Sequence, residues 1–319
     1  MGIRKTSTDV PLRMPDFATV HDLTAYYGFP FKFREDQVNR VLLTYPYQKC
    51  ALFDDAGTGK TAVSTALALA WEVEVNIVIA PPILGKQWTN WLKSLKNSGD
   101  VVLYRGTPKK REKLPVASAK WLVMTIQIFK KDWNQLYELV GKRTSALLVD
   151  EASNISNVES DNFRPVYLWG NANHGKNRVV AITATPANKP SQSYAYIKLK
   201  TPQIYSSKTA FEDIHVVSRD ERDVPTEWSG LDLVHQRMML QAVRTRKEDV
   251  LSLKEPQMIP ITYQLEHSHM KLYEQLVEEL LLEMGAEGVM DMTVASKMYH
   301  ATQQMVTNWG MFADDPTKK

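Results

Sequence analysis

The sequence predicts an α/β fold in which a mostly parallel sheet is covered by helices on both faces and followed by a mainly helical C-terminal extension. Three observations predict it. Apolar runs of parallel-strand length recur at 76–80, 101–104, 121–125, 146–150 and 179–183, separated by segments that can be helical. Near-continuous apolar strands of this kind belong to a sheet buried on both sides, with its chemistry at the carboxyl edge. A further apolar run, Ala51-Leu52-Phe53, breaks into a Gly-rich turn ending in Gly59-Lys60-Thr61, and a helix-forming run over 62–70 follows at once. Finally, helical periodicity returns at Met270, Tyr273, Leu276, Val277, Leu280 and Met284, and again through Met298, Thr302 and Met305.

Length and composition narrow the class. A chain of 319 residues can build a full core, as one large or two ordinary domains. Its 44% hydrophobic and 24% charged residues are those of a soluble globular protein. No apolar stretch approaches membrane-spanning length and the N-terminus lacks an apolar signal segment, so an intracellular protein without membrane contact is expected. The single cysteine, Cys50, excludes an internal disulfide, and no Cys/His cluster has zinc spacing. A net charge of +3 identifies no partner by itself; any nucleic-acid claim has to come from local charge.

Taken in order, residues 1–30 are polar and punctuated by Pro11, Pro15 and Pro30, and read as an extended lead-in. Residues 31–200 read as one nucleotide-binding unit. It opens with a helix that carries Gln37 and places Val38, Val41 and Leu42 on one face. Residues 201–265 read as a polar, irregular insertion and 266–319 as a helical linker, whose Met stripe is packing surface.

The turn between the apolar run and the 62–70 helix is where a phosphate belongs. Gly57 and Gly59 let backbone N–H groups fold around an anion, and the helix N-terminus adds partial positive charge. Ala56 and Thr58 complete the loop, Lys60 can reach the β- and γ-phosphates, and the Thr61 hydroxyl can hold Mg²⁺. Asp54 stands where such loops usually place their first glycine. Gln37 offers both a donor and an acceptor, as reading the edge of adenine requires, although a solvated helix glutamine is the plainer account of that residue alone. Downstream, Asp150 and Glu151 close a predicted strand. If that strand shares a sheet with the one before the phosphate loop, Asp150 faces the Mg²⁺ shell and Glu151 is placed to polarise an attacking water.

In order along the chain these motifs resemble the first RecA-like lobe of a superfamily 2 helicase, and most of all the Swi/Snf-like DNA translocase branch. The resemblance implies a RecA-like P-loop NTPase domain. Arg34 and Gln37 match its adenine-reading motif and residues 54–61 its phosphate loop. Ile79-Ala80-Pro81-Pro82 with Gln87-Trp88 resembles the motif that contacts the nucleic-acid backbone. Asp150-Glu151-Ala152-Ser153-Asn154-Ile155-Ser156-Asn157 is similar to the family's Asp-Glu-Ala-His-x-Ile-Lys-Asn, with Ser153 for His and Ser156 for Lys. Thr183-Ala184-Thr185-Pro186 corresponds to the motif coupling hydrolysis to movement; Ser153 can still hydrogen-bond toward it but lacks an imidazole, so the link between Asp150-Glu151 and Thr183 can run through a different bond. Residues 244–250 resemble Arg-Arg-x-Lys-x-Asp-Val, with Thr245 in place of the second Arg.

The resemblance implies ATP and Mg²⁺ as ligands, DNA as a partner bound by its backbone, and a second RecA-like lobe supplying an arginine finger. Gln303, Gln304 and Asn308 resemble the last linker before that lobe, so the 319 residues are expected to be the N-terminal part of a longer motor, weakly active alone. An arginine finger is worth roughly 10³ to 10⁵ in rate in related chemistry. A bacterial or phage replication, recombination or repair motor, working in the bacterial or infected-host cytoplasm, is the expected setting. A nucleotide-gated binding module and an RNA helicase are the alternatives.

Nine basic residues against two acidic ones lie between Lys86 and Lys120, among them Lys109, Lys110 and Arg111. Such a run is either a solvated face or, given the motif order, a grip on phosphates. Trp88 and Trp91, one helical turn apart, could stack on bases; packing of their helix onto the sheet is the plainer reading.

Overall fold

The computed structural model describes residues 16–252 and, beyond them, 259–260, 264–267, 270–271 and 274. The chain divides into two units, Met1–Leu253 and Lys254–Lys319, and all the elements described here belong to the first. Of the C-terminal helical pattern only Met270 falls among the described residues; the Met298 to Met305 stretch and Gln303, Gln304 and Asn308 lie outside them.

Seven strands form one parallel sheet. They are β1 (Lys49–Leu52), β2 (Val75–Ile79), β3 (Val101–Leu103), β4 (Trp121–Met124), β5 (Ser145–Asp150), β6 (Arg178–Ile182) and β9 (Ala242–Val243), in the order β3-β4-β2-β5-β6-β1-β9. Alternate side chains feed two separate cores, because successive residues of a strand point to opposite faces. Ala51, Ile77, Ile79, Leu147, Val149, Val179 and Ala181 pack on one face under α6 (Ile126–Val140), α7 (Phe163–Asn171) and α8 (Pro190–Lys200). Cys50, Leu52, Val78, Leu148, Val180 and Ile182 pack on the other under α2 (Glu35–Thr44), α3 (Lys60–Ala70) and α4 (Gly85–Ser94). The two-sided burial predicted from the continuous apolar runs is what the sheet shows. Burial also pushes the Cys50 thiol up to about 12, which keeps it protonated and inert.

Two segments differ from the sequence reading. The described part of the lead-in is helical: α1 (Phe17–Tyr26) starts at Asp16, whose Oδ1 accepts from the Thr19 amide (2.8 Å) and hydroxyl (2.6 Å). Beyond residue 200 the chain is regular rather than irregular. It forms α9 (Lys208–His215), an antiparallel hairpin of β7 (Val216–Arg219) and β8 (Pro225–Trp228), and α10 (Leu231–Met239). It then returns to the main sheet as β9, pairing Ala51 with Ala242 and Leu52 with Val243. The buried Lys200 Nζ fixes that return by donating to the carbonyls of Met238 (2.6 Å) and Leu240 (2.7 Å). Among the described residues no helix is long and apolar enough to cross a membrane.

Candidate functional site

Strand register brings the phosphate loop and the acidic pair to one edge. β6 lies between β1 and β5, and its Ile182 is level with Leu52 on one side and Asp150 on the other. The loop leaves β1 directly after Leu52 and Asp150 ends β5, so the two emerge side by side, two inter-strand spacings or about 10 Å apart.

The loop has the backbone its glycines permit. Gly57 and Gly59 sit at φ 84° and 94°, and Gly59 caps α3, whose first residues are Lys60 and Thr61. At Gly59 space is a second constraint: a Cβ there would lie 2.5 Å from Gln37 Nε2. Ala56 and Gly57 are exposed, while Thr58 is buried and its hydroxyl donates to the Asp55 carbonyl at 2.8 Å. Lys60 Nζ donates to the carbonyls of Asp54 (2.8 Å) and Asp55 (2.9 Å). Burial lowers the Lys60 pKa, against the opposing pull of Asp54, Glu151, Asp150 and Asp55, so both carboxylates of the acidic pair act on this ammonium.

Asp150 is held from two sides. Trp88 Nε1 donates to its Oδ2 at 2.7 Å and the Glu151 amide to its Oδ1 at 3.1 Å. Burial raises the Asp150 pKa, while those two bonds and Lys60 lower it. Glu151 is exposed and adopts φ 50°, ψ 54°, a left-handed conformation costly for a residue with a Cβ and shared by five other non-glycine residues among those described. The plainer reading of Trp88 and Trp91 as packing residues fits their surroundings. Trp88 is buried; Trp91 is half-buried, donates to Thr65 Oγ1 (3.0 Å) and stacks on Phe31. The bond from Trp88 to Asp150 is not legible in sequence, since nothing in residues 85–94 points to a partner on β5.

Of the expected coupling residues, Thr183 is buried at the end of β6, with its amide on the Leu52 carbonyl (3.1 Å) and its hydroxyl accepting from the Thr185 amide (3.2 Å). Ala184 is half-buried and Thr185 exposed. The Ser153 hydroxyl donates to the Glu151 carbonyl (3.4 Å), because the short 3₁₀ turn Ala152–Ile155 folds it back on its own chain, so the different bond that the missing imidazole left open is a local one here.

Behind the loop lies an ionic cluster that motif reasoning missed. Arg34 pairs with Asp36 (2.8 Å) and donates to the Thr58 carbonyl (3.1 Å). Arg40 pairs with Asp36 (2.6 Å) and Asp54 (2.8 Å) and donates to the same carbonyl (2.9 Å). The Gln37 side-chain oxygen accepts from the Arg34 amide (2.9 Å), which leaves its NH₂ end against Gly59. The available signal was an arginine at 40, four residues past Asp36 and three past Gln37 and so on one helix face with both.

Among the residues expected at nucleic acid, Pro82, Lys86, Gln87, Lys109 and Lys110 are exposed and Pro81 is half-buried. Lys86 lies just past the carboxyl end of β2, and Lys109 and Lys110, in the short α5 (Pro108–Arg111), follow β3 at the sheet's outer edge. Arg111 has to be corrected: it is buried, with Nε and Nη2 on Asp132 (2.6 and 2.9 Å) and a further bond to the Gly106 carbonyl. Its neighbours show their charge to solvent, whereas its own is already paired inside the fold. Lys120 is likewise committed, to the Val73 carbonyl.

Two clefts open on this edge. One, of about 410 Å³, runs between α3 and α4 and is lined by Phe31, Thr61, Gln87, Trp88, Trp91 and Asp150 among others. The other, of about 420 Å³, is bounded by Ala184, Thr185, Lys189, His235 and Arg244. Thr61 and Asp150 sharing a cleft suits a small hard cation. Among the described residues no group of three or more His, Cys, Asp or Glu side chains could cage a metal. Mg²⁺ needs no such cage, being held through one or two protein oxygens with the substrate's phosphates completing its shell.

A family model described as the SNF2-related domain matches residues 37–308. The Saccharomyces cerevisiae "Nuclear protein STH1/NPS1" is 25% identical over 255 residues, which cover 74% of this chain and 18% of that protein. The name of that relative places it in a nucleus and lends no support to a bacterial or phage setting. Among solved structures, the Sulfolobus solfataricus SWI2/SNF2 ATPase core in complex with dsDNA superposes with a TM-score of 0.55 at 17% identity, over 88% of this chain and 59% of that one. The same archaeon's ATPase core domain gives 0.55 at 18% identity, over 89% and 58%. These likenesses show the fold; the chain spans under a fifth of the yeast relative and under three fifths of the archaeal chains.

Proposed function

The chain belongs to the SNF2-related domain family, and from that premise we propose that it is the first, ATP-binding lobe of a motor that hydrolyses ATP to move along DNA. An ATPase lobe of the Swi/Snf type is what family membership implies. Translocation on DNA, the individual site residues and the need for a second lobe are the further steps of this reading.

The observation that carries it is the register Leu52–Ile182–Asp150, which supports a single triphosphate site between loop and acidic pair. The loop's N–H groups and the α3 N-terminus would receive the phosphates, and Lys60 would exchange its two carbonyl partners for phosphate oxygens. Thr61 and Asp150 would hold Mg²⁺, which supplies charge neutralisation on the phosphates. Glu151, exposed and free of burial, orients the attacking water by accepting its hydrogen bond. Arg34 and Gln37 are proposed to meet the base, Gln37 through its NH₂ end since the Arg34 amide holds its oxygen, and Thr183, whose amide bonds the Leu52 carbonyl, is proposed to carry a change at the γ-phosphate to 183–185. Pro81, Pro82, Lys86, Gln87, Lys109 and Lys110 are proposed to follow the DNA backbone, since Lys86, Lys109 and Lys110 stand past the carboxyl ends of β2 and β3.

ATPase assays with duplex DNA, single-stranded DNA and RNA, on this chain and on one extended by a second lobe, test the reading. DNA-stimulated turnover in the longer protein, abolished by Lys60→Ala at binding and by Glu151→Gln at hydrolysis, is expected. Stimulation by RNA alone would favour an RNA helicase, and binding without turnover in the longer protein a nucleotide-gated module. Retained ATP affinity in Lys60→Ala would refute the site assignment.

A further inference from the structure

Resting on that ATP-binding reading, we propose that Arg40 is a positioning residue of the phosphate loop, and that through Asp54 it ties the loop to residues 245–247, so that a triphosphate on the loop is felt there. Asp54 is wholly buried and each of its oxygens serves a different element. Oδ2 pairs with Arg40 of α2 at 2.8 Å and Oδ1 accepts from the Thr245 amide, just past β9, at 2.8 Å. The loop and that segment are joined twice more. The Asp55 amide donates to the Thr245 carbonyl (3.0 Å), and Asp55 Oδ2 accepts from the Lys247 amide (3.2 Å). Arg244 precedes these contacts and Arg246 lies between them, so the loop is tethered to a run of cations.

Arg40 also acts on the loop's backbone. It is 2% exposed, and its Nη2 and that of Arg34 both donate to the Thr58 carbonyl, at 2.9 and 3.1 Å. In a trans peptide C=O and N–H point opposite ways. Holding the Thr58 oxygen back toward α2 therefore turns the Gly59 N–H in the other direction, the one an anion on the loop requires. Asp36, which accepts from Arg40 through both its carbonyl (3.2 Å) and its carboxylate (2.6 Å), fixes the guanidinium's plane. A lysine could carry the charge but not these several bonds at once.

The test compares wild type with Arg40→Lys and with Arg40→Met/Asp54→Asn, in which neither buried charge is left alone. Each is titrated with a fluorescent ATP analogue, melted, and followed by amide exchange at Thr245 and Lys247. In wild type, ATP with Mg²⁺ should slow exchange at both amides. In the folded double variant affinity should fall about tenfold or more and the slowing disappear, with Arg40→Lys between the two. Wild type that does not bind the analogue removes the nucleotide reading and this inference with it. Wild type that binds, with both folded variants within about twofold of it, overturns the role of Arg40 alone. Should the double variant not fold, wild-type exchange decides: amides at 245 and 247 indifferent to ATP overturn the linkage.

Discussion

Lys200 should make this fold more stable in mild alkali, and a single substitution should abolish the effect. Its side chain is 5% exposed, its Nζ donates to the Met238 and Leu240 carbonyls, and it lies 5.3 Å from the Phe53 ring centroid. Burial pulls its pKa from 10.5 down to about 7. Between those values the unfolded chain holds a proton here that the folded chain does not, so stability rises with pH across that window and levels off below about pH 7. Linkage between about pH 7 and 9 amounts to about 2 kcal/mol. Lys200→Met fills the same space without a titrating group. Near pH 7 the variant loses two bonds to carbonyls, at about 1–3 kcal/mol each, and is relieved of a buried amine disfavoured by about 4 kcal/mol, so the terms largely offset. Near pH 9 the relief shrinks and the variant should fall behind by about 2 kcal/mol more. Urea unfolding followed by tryptophan fluorescence at the two pH values measures this. Equal pH dependence in the two proteins would show that Lys200 stays charged in the fold, and would refute the reasoning.

Three other outcomes follow from the site. Trp88→Phe removes the indole donor from Asp150 while keeping an aromatic ring in the core. The Mg²⁺ dependence of ATP binding should shift by about 10- to 100-fold, as when a metal ligand's supporting bond is lost, and an unchanged Mg²⁺ titration in the folded variant would count against Asp150 as a ligand. Gly59→Ala places a Cβ 2.5 Å from Gln37 Nε2 at φ 94°, and a melt should show a loss of at least about 1 kcal/mol; an unshifted melt would mean that the loop has another shape. Lys109→Glu/Lys110→Glu should weaken DNA binding and flatten the plot of log affinity against log salt by about two, whereas Arg111→Ala should lower the melt and leave that slope alone. A slope that follows Arg111 would restore it to the interface.

The strands that carry the site were legible because burial on both faces leaves a continuous apolar signature: 146–150 and 179–183 anticipate β5 and β6 to within a residue. The phosphate loop was legible because two glycines followed by Lys-Thr suit few purposes between a strand and a helix. The return of the chain to the sheet at Ala242–Val243 was not, since two half-buried residues carry no periodicity and their place is set by Lys200, some forty positions earlier. Arg111 misled for a related reason. In sequence it is one cation among nine, and its bonds to Asp132, midway along α6, and to the Gly106 carbonyl distinguish it from Lys109 and Lys110. Local charge density reports how many cations there are, not which of them are already paired.

Asp54 follows the same logic from the opposite direction. Read locally, an aspartate in place of the loop's usual first glycine is a defect: it adds a side chain where backbone should crowd an anion, and its charge opposes the phosphates. Buried without partners, that carboxylate would be intolerable. Here Arg40 neutralises it, the Thr245 amide satisfies its second oxygen, and the side chain is turned behind the loop rather than into its mouth. A carboxylate so held can remain only while α2, the loop and the chain past β9 keep their relative positions. The local irregularity is therefore a constraint joining three segments, and an asparagine at 54, which keeps the amide's partner but releases the arginine, is the substitution that separates the two halves of that constraint.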